Sequence, residues 1–178
     1  MRTLGEIFKT NKDALVFIEQ VDLKDKTYVV TSTRKINRII GGKNFPWVDV
    51  FLKQDLSDGE EQFRLHYVQE DDRLSVLFMS LYDALPWAQE FEEIQAEEWF
   101  RFDDDGRTFR RVGEVRGNYH AVGEISGDHP GLVTLDYWDW WRDAGEKREY
   151  CYVERDGETR MFEVWVGAEI FAPSIMII

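Results

Sequence analysis

The chain has 178 residues, 43% of them hydrophobic and 15% aromatic, and a formal net charge of −13 at pH 7. That length suits one domain with ample apolar material for a core, and the acidic excess repels phosphate backbones, which argues against nucleic acid as a partner. A lone cysteine, Cys151, excludes an internal disulfide, and no apolar run approaches the ~20 residues of a membrane-spanning helix.

The charge is uneven. Residues 1–53 hold ten Lys/Arg against six Asp/Glu, and residues 54–178 hold twelve against twenty-nine. The mildly basic first third reads as basic residues scattered over an acidic protein, not as a docking patch. The opening MRTLGEIFKTNKD lacks the long apolar segment of a signal peptide, so the expected address is the cytoplasm.

In chain order, Thr3-Leu-Gly-Glu6 forms a capping box, with Leu4, Ile7 and Phe8 on one face of a short helix. Ala14–Glu19 and the β-branched Thr27–Thr33 read as strands. In Arg34–Ile40, Ile36, Ile39 and Ile40 fall at helical spacing before Gly41-Gly42, so a second short helix is expected. Trp47–Lys53 is a strand. Gln62–Gln69 alternates, with Phe63, Leu65 and Tyr67 on one face and Arg64, His66 and Val68 on the other; Leu74–Leu81 returns across an acidic turn. Beyond Pro86, Trp87, Phe91 and Ile94 predict a helix over 86–96. Trp99–Phe102 and Thr108–Val115 flank Asp103-Asp104-Asp105-Gly106, which is hairpin chemistry. Tyr119–Ile125, Leu132–Trp141, Arg148–Glu154 and Arg160–Val166 complete the strands. The apolar tail Ile175–Ile178 is expected in the core or on a sheet edge.

The second half repeats the first faintly. His66-Tyr-Val-Gln-Glu-Asp-Asp72 matches Cys151-Tyr-Val-Glu-Arg-Asp-Gly157. Each follows a Gly-Glu turn (Gly59-Glu60, Gly145-Glu146) and, before that, a Trp-containing strand (Trp47–Val50, Trp138–Trp141). The pattern implies two related β-meanders, over about 21–85 and 99–170, whose apolar faces meet in one core within a single domain, residues 1–178. The expected fold class is therefore α+β and β-rich: a mainly antiparallel sheet or sandwich built from two pseudo-repeated meanders, with two or three short helices.

From Trp99 onward the order of elements resembles the YjfK-like family of uncharacterised bacterial proteins. The residues that carry the resemblance are Phe100–Arg111 (FRFDDDGRTFRR), Arg148–Glu154, Val164–Ile170 and the closing Ile175–Ile178, about half the chain. The tryptophan cluster at 138–141 departs from it. The resemblance implies a soluble accessory protein linked to membrane-stress systems, and it carries over no catalytic residue.

No motif specifies a reaction. The three histidines, His66, His120 and His129, make no paired metal-ligand spacing. The acidic turns lack the alternation of a calcium loop and read as solvated turns. Cys151 reads as a small core hydrophobe. The sharpest feature is Trp138–Trp141, where Trp138 and Trp140 share one face and Tyr137 and Trp141 the other. One face must be core. The other, if exposed, is a stacking platform or partner hot spot; if covered, the strand is central. These residues, Tyr137, Trp138, Trp140 and Trp141, are the candidate binding surface. The leading expectation is a non-catalytic module that binds a partner protein, with self-association open and with no cofactor. The alternative is a small-ligand-binding or metal-dependent hydrolytic enzyme in which two or more of Asp103, Asp105, Glu154, Asp156 and Glu163 converge beside a histidine.

Overall fold

A computed structural model describes residues 3–178 except 21, 41–42, 56–60, 71–72, 87–96, 112–118, 128–129 and 160. The capping box forms as expected: Glu6 N–H donates to Thr3 Oγ1 at 3.3 Å, and Thr3 N–H donates to Glu6 Oε2 at 2.7 Å. It starts α1 (Leu4–Phe8), the one α-helix among the described residues. The strands that follow are β1 (Leu15–Ile18), β2 (Thr27–Ile40), β3 (Lys43–Gln54), β4 (Gln62–Glu70), β5 (Arg73–Pro86), β6 (Trp99–Arg101), β7 (Thr108–Arg111), β8 (Tyr119–Ser126), β9 (Gly131–Ala144), β10 (Lys147–Asp156), β11 (Met161–Ile170) and β12 (Ile175–Ile177). A 3-10 turn, Ala172–Ser174, precedes the last. No helix among the described residues is long and apolar enough to cross a membrane.

Eight of these strands close on themselves. The antiparallel pairings run β2-β3-β4-β5-β11-β10-β9-β8, and β8 returns to β2. The fold is thus a closed antiparallel barrel with 71% of residues in strands, not an α+β sheet or sandwich with two or three helices. Closure comes from long-range pairing, β2 with β8 and β5 with β11, which strand-by-strand reading does not reveal. The helix expected over Arg34–Ile40 is instead the second half of β2. Arg34 and Ile36, two residues apart, are buried inside the barrel while Lys35 and Asn37 are less so, the period-two alternation of a strand and not the helical spacing read from Ile36, Ile39 and Ile40. The helix expected over 86–96 falls outside the described residues, apart from Pro86 at the end of β5.

The barrel consists of two meanders, β2–β5 and β8–β11, and exchanging one for the other leaves the pairing order unchanged. The matched residues do not share a face, however. Trp47 lines the interior while Trp138 packs outside, and Tyr67 packs outside while Tyr152 lines the interior. A one-residue offset in a strand exchanges its faces. The equivalence therefore holds for strand order and not for the residues aligned above.

Both outer walls are covered. α1, β1 and β12 supply Ile7, Val16, Ile18 and Ile177 against Val48, Val50, Leu65 and Val76 of the first meander. The β6–β7 hairpin lays Phe100, Phe102 and Phe109 over Trp138, Trp140, Cys151 and Phe162 of the second. The C-terminal tail is an edge strand on β1, as expected, with Met176 and Ile178 exposed.

Each seam between the meanders holds a glycine with no room for a side chain. A Cβ at Gly123 of β8 would lie 2.0 Å from the Lys35 carbonyl oxygen of β2, and one at Gly167 of β11 would lie 2.1 Å from the Phe78 carbonyl oxygen of β5. Gly123→Ala is expected to cost at least ~1–3 kcal/mol in urea unfolding, because backbone must shift at the closing seam. Gly131→Ala, where nothing lies within 4 Å, should stay within about 0.5 kcal/mol of the parent. Equal midpoints for the two variants would mean that the seams are not closely packed.

Candidate functional site

Because side chains alternate in and out of the barrel wall, the interior can be read from mouth to mouth. β2 contributes Arg38, Ile36 and Arg34; β3 contributes Trp47, Asp49 and Phe51; β4 contributes Val68, His66, Arg64 and Gln62. From the other meander, β9 contributes Trp141, Asp139, Tyr137 and Leu135, and β10 contributes Tyr150, Tyr152, Glu154 and Asp156. An eight-stranded barrel has an interior that side chains can fill, or that can hold one small ligand. Here the middle is filled and the two ends are hollow.

The filling is a buried ion-pair layer. Arg34 Nε and Nη2 donate to Asp49 Oδ2 at 2.9 and 2.7 Å, and Nη2 also donates to Glu154 Oε2 at 2.7 Å. Arg64 Nη1 donates to Glu154 Oε1 at 2.6 Å, and its guanidinium lies 4.5 Å from the Trp165 ring centroid. Trp47 Nε1–H donates to Asp49 Oδ2 at 3.0 Å. The two arginines oppose two carboxylates, so the layer is neutral overall. Burial alone would raise both acids, but the arginines outweigh it and hold Asp49 and Glu154 below the usual carboxylate range. His66 Nδ1 lies 2.7 Å from Asp49 Oδ1. Burial lowers its pKa despite Asp49, so the ring is neutral; an ionised Asp49 can only accept, which makes Nδ1 the donor and leaves Nε2 an acceptor.

At one end lies a cavity of about 270 Å³ bordered by Arg34, Phe51, Glu154, Asp156, Glu163 and Trp165. Burial first, then the Glu154 charge, raises the Glu163 carboxyl, which accepts from Trp165 Nε1–H at 2.9 Å. Asp156 is engaged with its own turn, accepting from the N–H groups of Glu158 at 2.9 Å and Thr159 at 2.7 Å. At the other end is a cavity of about 330 Å³ bounded by Trp47, Tyr137, Trp141, Tyr150 and Tyr152, with His66, Arg38, Arg148 and Asp139 among them. Arg38 donates to Tyr137 OH, and its guanidinium carbon lies 5.3 Å from the Tyr137 ring centroid and 5.9 Å from that of Trp47; Arg148 covers Trp141 at 4.1 Å. Asp139 is 9% exposed, its Oδ1 has no hydrogen-bond partner, and burial pushes its pKa up to about 6 despite Arg38 and Arg111 nearby.

The four residues of the expected binding surface therefore separate. Trp138 (1% exposed) and Trp140 (0%) are core under the hairpin, while Tyr137 and Trp141 line the aromatic cavity. Of the five carboxylates named for an enzyme, Glu154, Asp156 and Glu163 border the acidic-end cavity. Asp103 and Asp105 sit exposed on the β6–β7 turn. Among the described residues, no group of three or more His, Cys, Asp or Glu could hold a metal ion. His120 is exposed and bonded to Asp136 at 2.9 Å, and His129 lies outside the described residues. Burial pushes the Cys151 thiol up, so it is an inert packing group. Asp139, Asp49 and Arg64 were missed by sequence reasoning. The signal available was a single charge flanked by aromatic or apolar residues within a strand, as in Trp138-Asp-Trp140.

Comparison of the chain with protein-family models, with curated proteins and with solved structures gives no match to any of them.

Proposed function

We propose that the protein is a non-catalytic small-molecule-binding barrel whose ligand occupies the aromatic end. The observation that carries this reading is Asp139 Oδ1: a buried carboxylate oxygen with no hydrogen-bond partner, on a residue that borders a cavity lined by aromatic side chains. A buried polar atom left unsatisfied costs about 1–3 kcal/mol, and a fold retains one where a ligand or water supplies the missing bond. The cavity, about 330 Å³, lies at the small end of the range for ligand sites. The ion-pair layer forms its floor, so a ligand enters and leaves by the same mouth. Asp49 and Glu154 are fully committed to arginines, which leaves them poor acids or bases and favours binding over hydrolysis.

Trp47 and Trp141 line the cavity, so occupancy should be visible in tryptophan fluorescence. In a screen of small organic compounds, a true ligand at about 100 times its dissociation constant is expected to add about 2.7 kcal/mol of stability. Val68→Phe, which fills the cavity from β4, should abolish that shift and leave the unliganded protein folded. A ligand that stabilises both proteins equally binds elsewhere and overturns this assignment.

A further inference from the structure

The reading above leaves the ligand's chemistry open, and the polar groups around the cavity narrow it. The aromatic walls at first suggest a cage for an organic cation. Two of the chain's own cations already occupy those ring faces, however: Arg38 lies over Trp47 and Tyr137, and Arg148 over Trp141. A second cation would meet both guanidinium groups at close range. Arg38, Arg148, Tyr150 and Tyr152 bring donors to the lining, so what a ligand must bring is a donor of its own for the acceptor left unpaired. Asp139 Oδ1 is an acceptor without a partner, and neutral His66, whose Nδ1–H is spent on Asp49 at 2.7 Å, offers only Nε2 as an acceptor. Aromatic side chains border the cavity on several sides, which suits a flat ligand.

We propose that the aromatic end of the barrel binds a planar, uncharged nitrogen heterocycle through a lactam-type N–H edge, of the kind guanine and pterin present, with Asp139 accepting from that edge. The inference rests on the small-molecule reading. The ring lies among Tyr137, Trp141 and Tyr152, and the ion-pair layer stops it at the floor. Rings that carry only acceptors can bond to the arginines of the lining but leave Asp139 Oδ1 unpaired, and they bind more weakly. A site built to hydrogen-bond a donor discriminates strongly against an analogue that lacks it, because its own buried group then stays unpaired.

The test titrates the full chain with guanosine, pterin, 1-methylguanosine, 1-methylindole and choline, read by tryptophan fluorescence and calorimetry. Guanosine or pterin is expected to bind with one-to-one stoichiometry, 1-methylguanosine at least about tenfold more weakly, and choline not at all. Asp139→Asn should weaken the N–H heterocycle by tenfold or more and leave any 1-methylindole binding unchanged. Val68→Phe should remove both. Choline binding best, or 1-methylguanosine binding as well as guanosine, overturns the proposed edge while leaving a ligand-binding cavity in place. Binding of none of the five overturns the proposed class, and the broader compound screen then decides separately whether the cavity binds anything. Binding that survives Val68→Phe places the heterocycle outside the barrel and overturns the inference.

Discussion

Arg64→Met is expected to destabilise the protein by about 3–5 kcal/mol, the cost of breaking a buried ion pair from one side. Arg64 is fully buried, bonded to Glu154 Oε1 at 2.6 Å and covered by Trp165. Its removal leaves Arg34 alone between Asp49 and Glu154, so one buried negative charge is uncompensated. Glu154→Gln should be costly for the opposite reason, because two arginines then share Asp49. The double variant Arg64→Met/Glu154→Gln restores neutrality: the Arg34–Asp49 pair survives with its two bonds at 2.9 and 2.7 Å. Its loss is expected to be clearly smaller than the sum of the single losses, with a coupling of about 1–3 kcal/mol in a double-mutant cycle. Salt should change these values little, since the layer is shielded from solvent. The pH dependence has a definite sign. Asp49 and Glu154 titrate below their ordinary range in the native state, so their pairing stabilises the fold above about pH 4.5 and that stabilisation is lost as pH falls through the depressed native values. In Arg64→Met, Glu154 has lost one of its counter-ions and protonates more readily, so the variant's penalty should shrink in mild acid. Strictly additive costs in urea unfolding would show that the layer does not act as one neutral unit.

How much of this was legible beforehand follows from where each signal lives. Strand positions were readable because period-two alternation and turn residues are local. The capping box at Thr3 and Glu6 and the Asp103–Gly106 hairpin depend on a few adjacent residues. Closure was not readable, because it rests on Thr33–Asn37 meeting Val122–Ser126 and on Val76–Pro86 meeting Met161–Ile170. Nothing near Gly123 or Gly167 announces a partner backbone at van der Waals distance. The wrong helix at Arg34–Ile40 has an instructive cause. The spacing of Ile36, Ile39 and Ile40 before Gly41-Gly42 is a local signal, whereas Arg34 is 7% exposed and bonded to acids from β3 and β10. A polar barrel interior inverts the usual reading of charge in a strand. The same inversion applies at Trp138–Trp141, where the tryptophans are conspicuous and the buried charge between them is Asp139.

Asp139→Asn is expected to stabilise the unliganded protein near pH 7.5 while weakening ligand binding. Burial, the leading cause, pushes the native carboxyl from the ordinary 3.8 up to about 6. A displacement of that size corresponds to about 3 kcal/mol. The sign follows from proton linkage. Because the native state holds its proton more tightly than the unfolded chain, this group favours folding below about pH 4, and that advantage is lost as pH rises to about 6. Above that point the native state carries an ionised acid out of water, with Arg38 and Arg111 offsetting only part of the cost. An amide of the same shape carries no charge, so the gain should be close to zero in mild acid, open between about pH 4 and 6, and level off above. For a domain of this size the plateau corresponds to a rise of about 6–12 °C in Tm. A stability optimum set by packing alone would have selected the amide or an apolar residue. Retention of the acid at a measurable cost is what a binding site looks like thermodynamically, since the ligand's donor recovers the loss. If Asp139→Asn instead lowers Tm at every pH, Asp139 serves the fold and not a ligand, and the case for the aromatic end as a binding site fails with it.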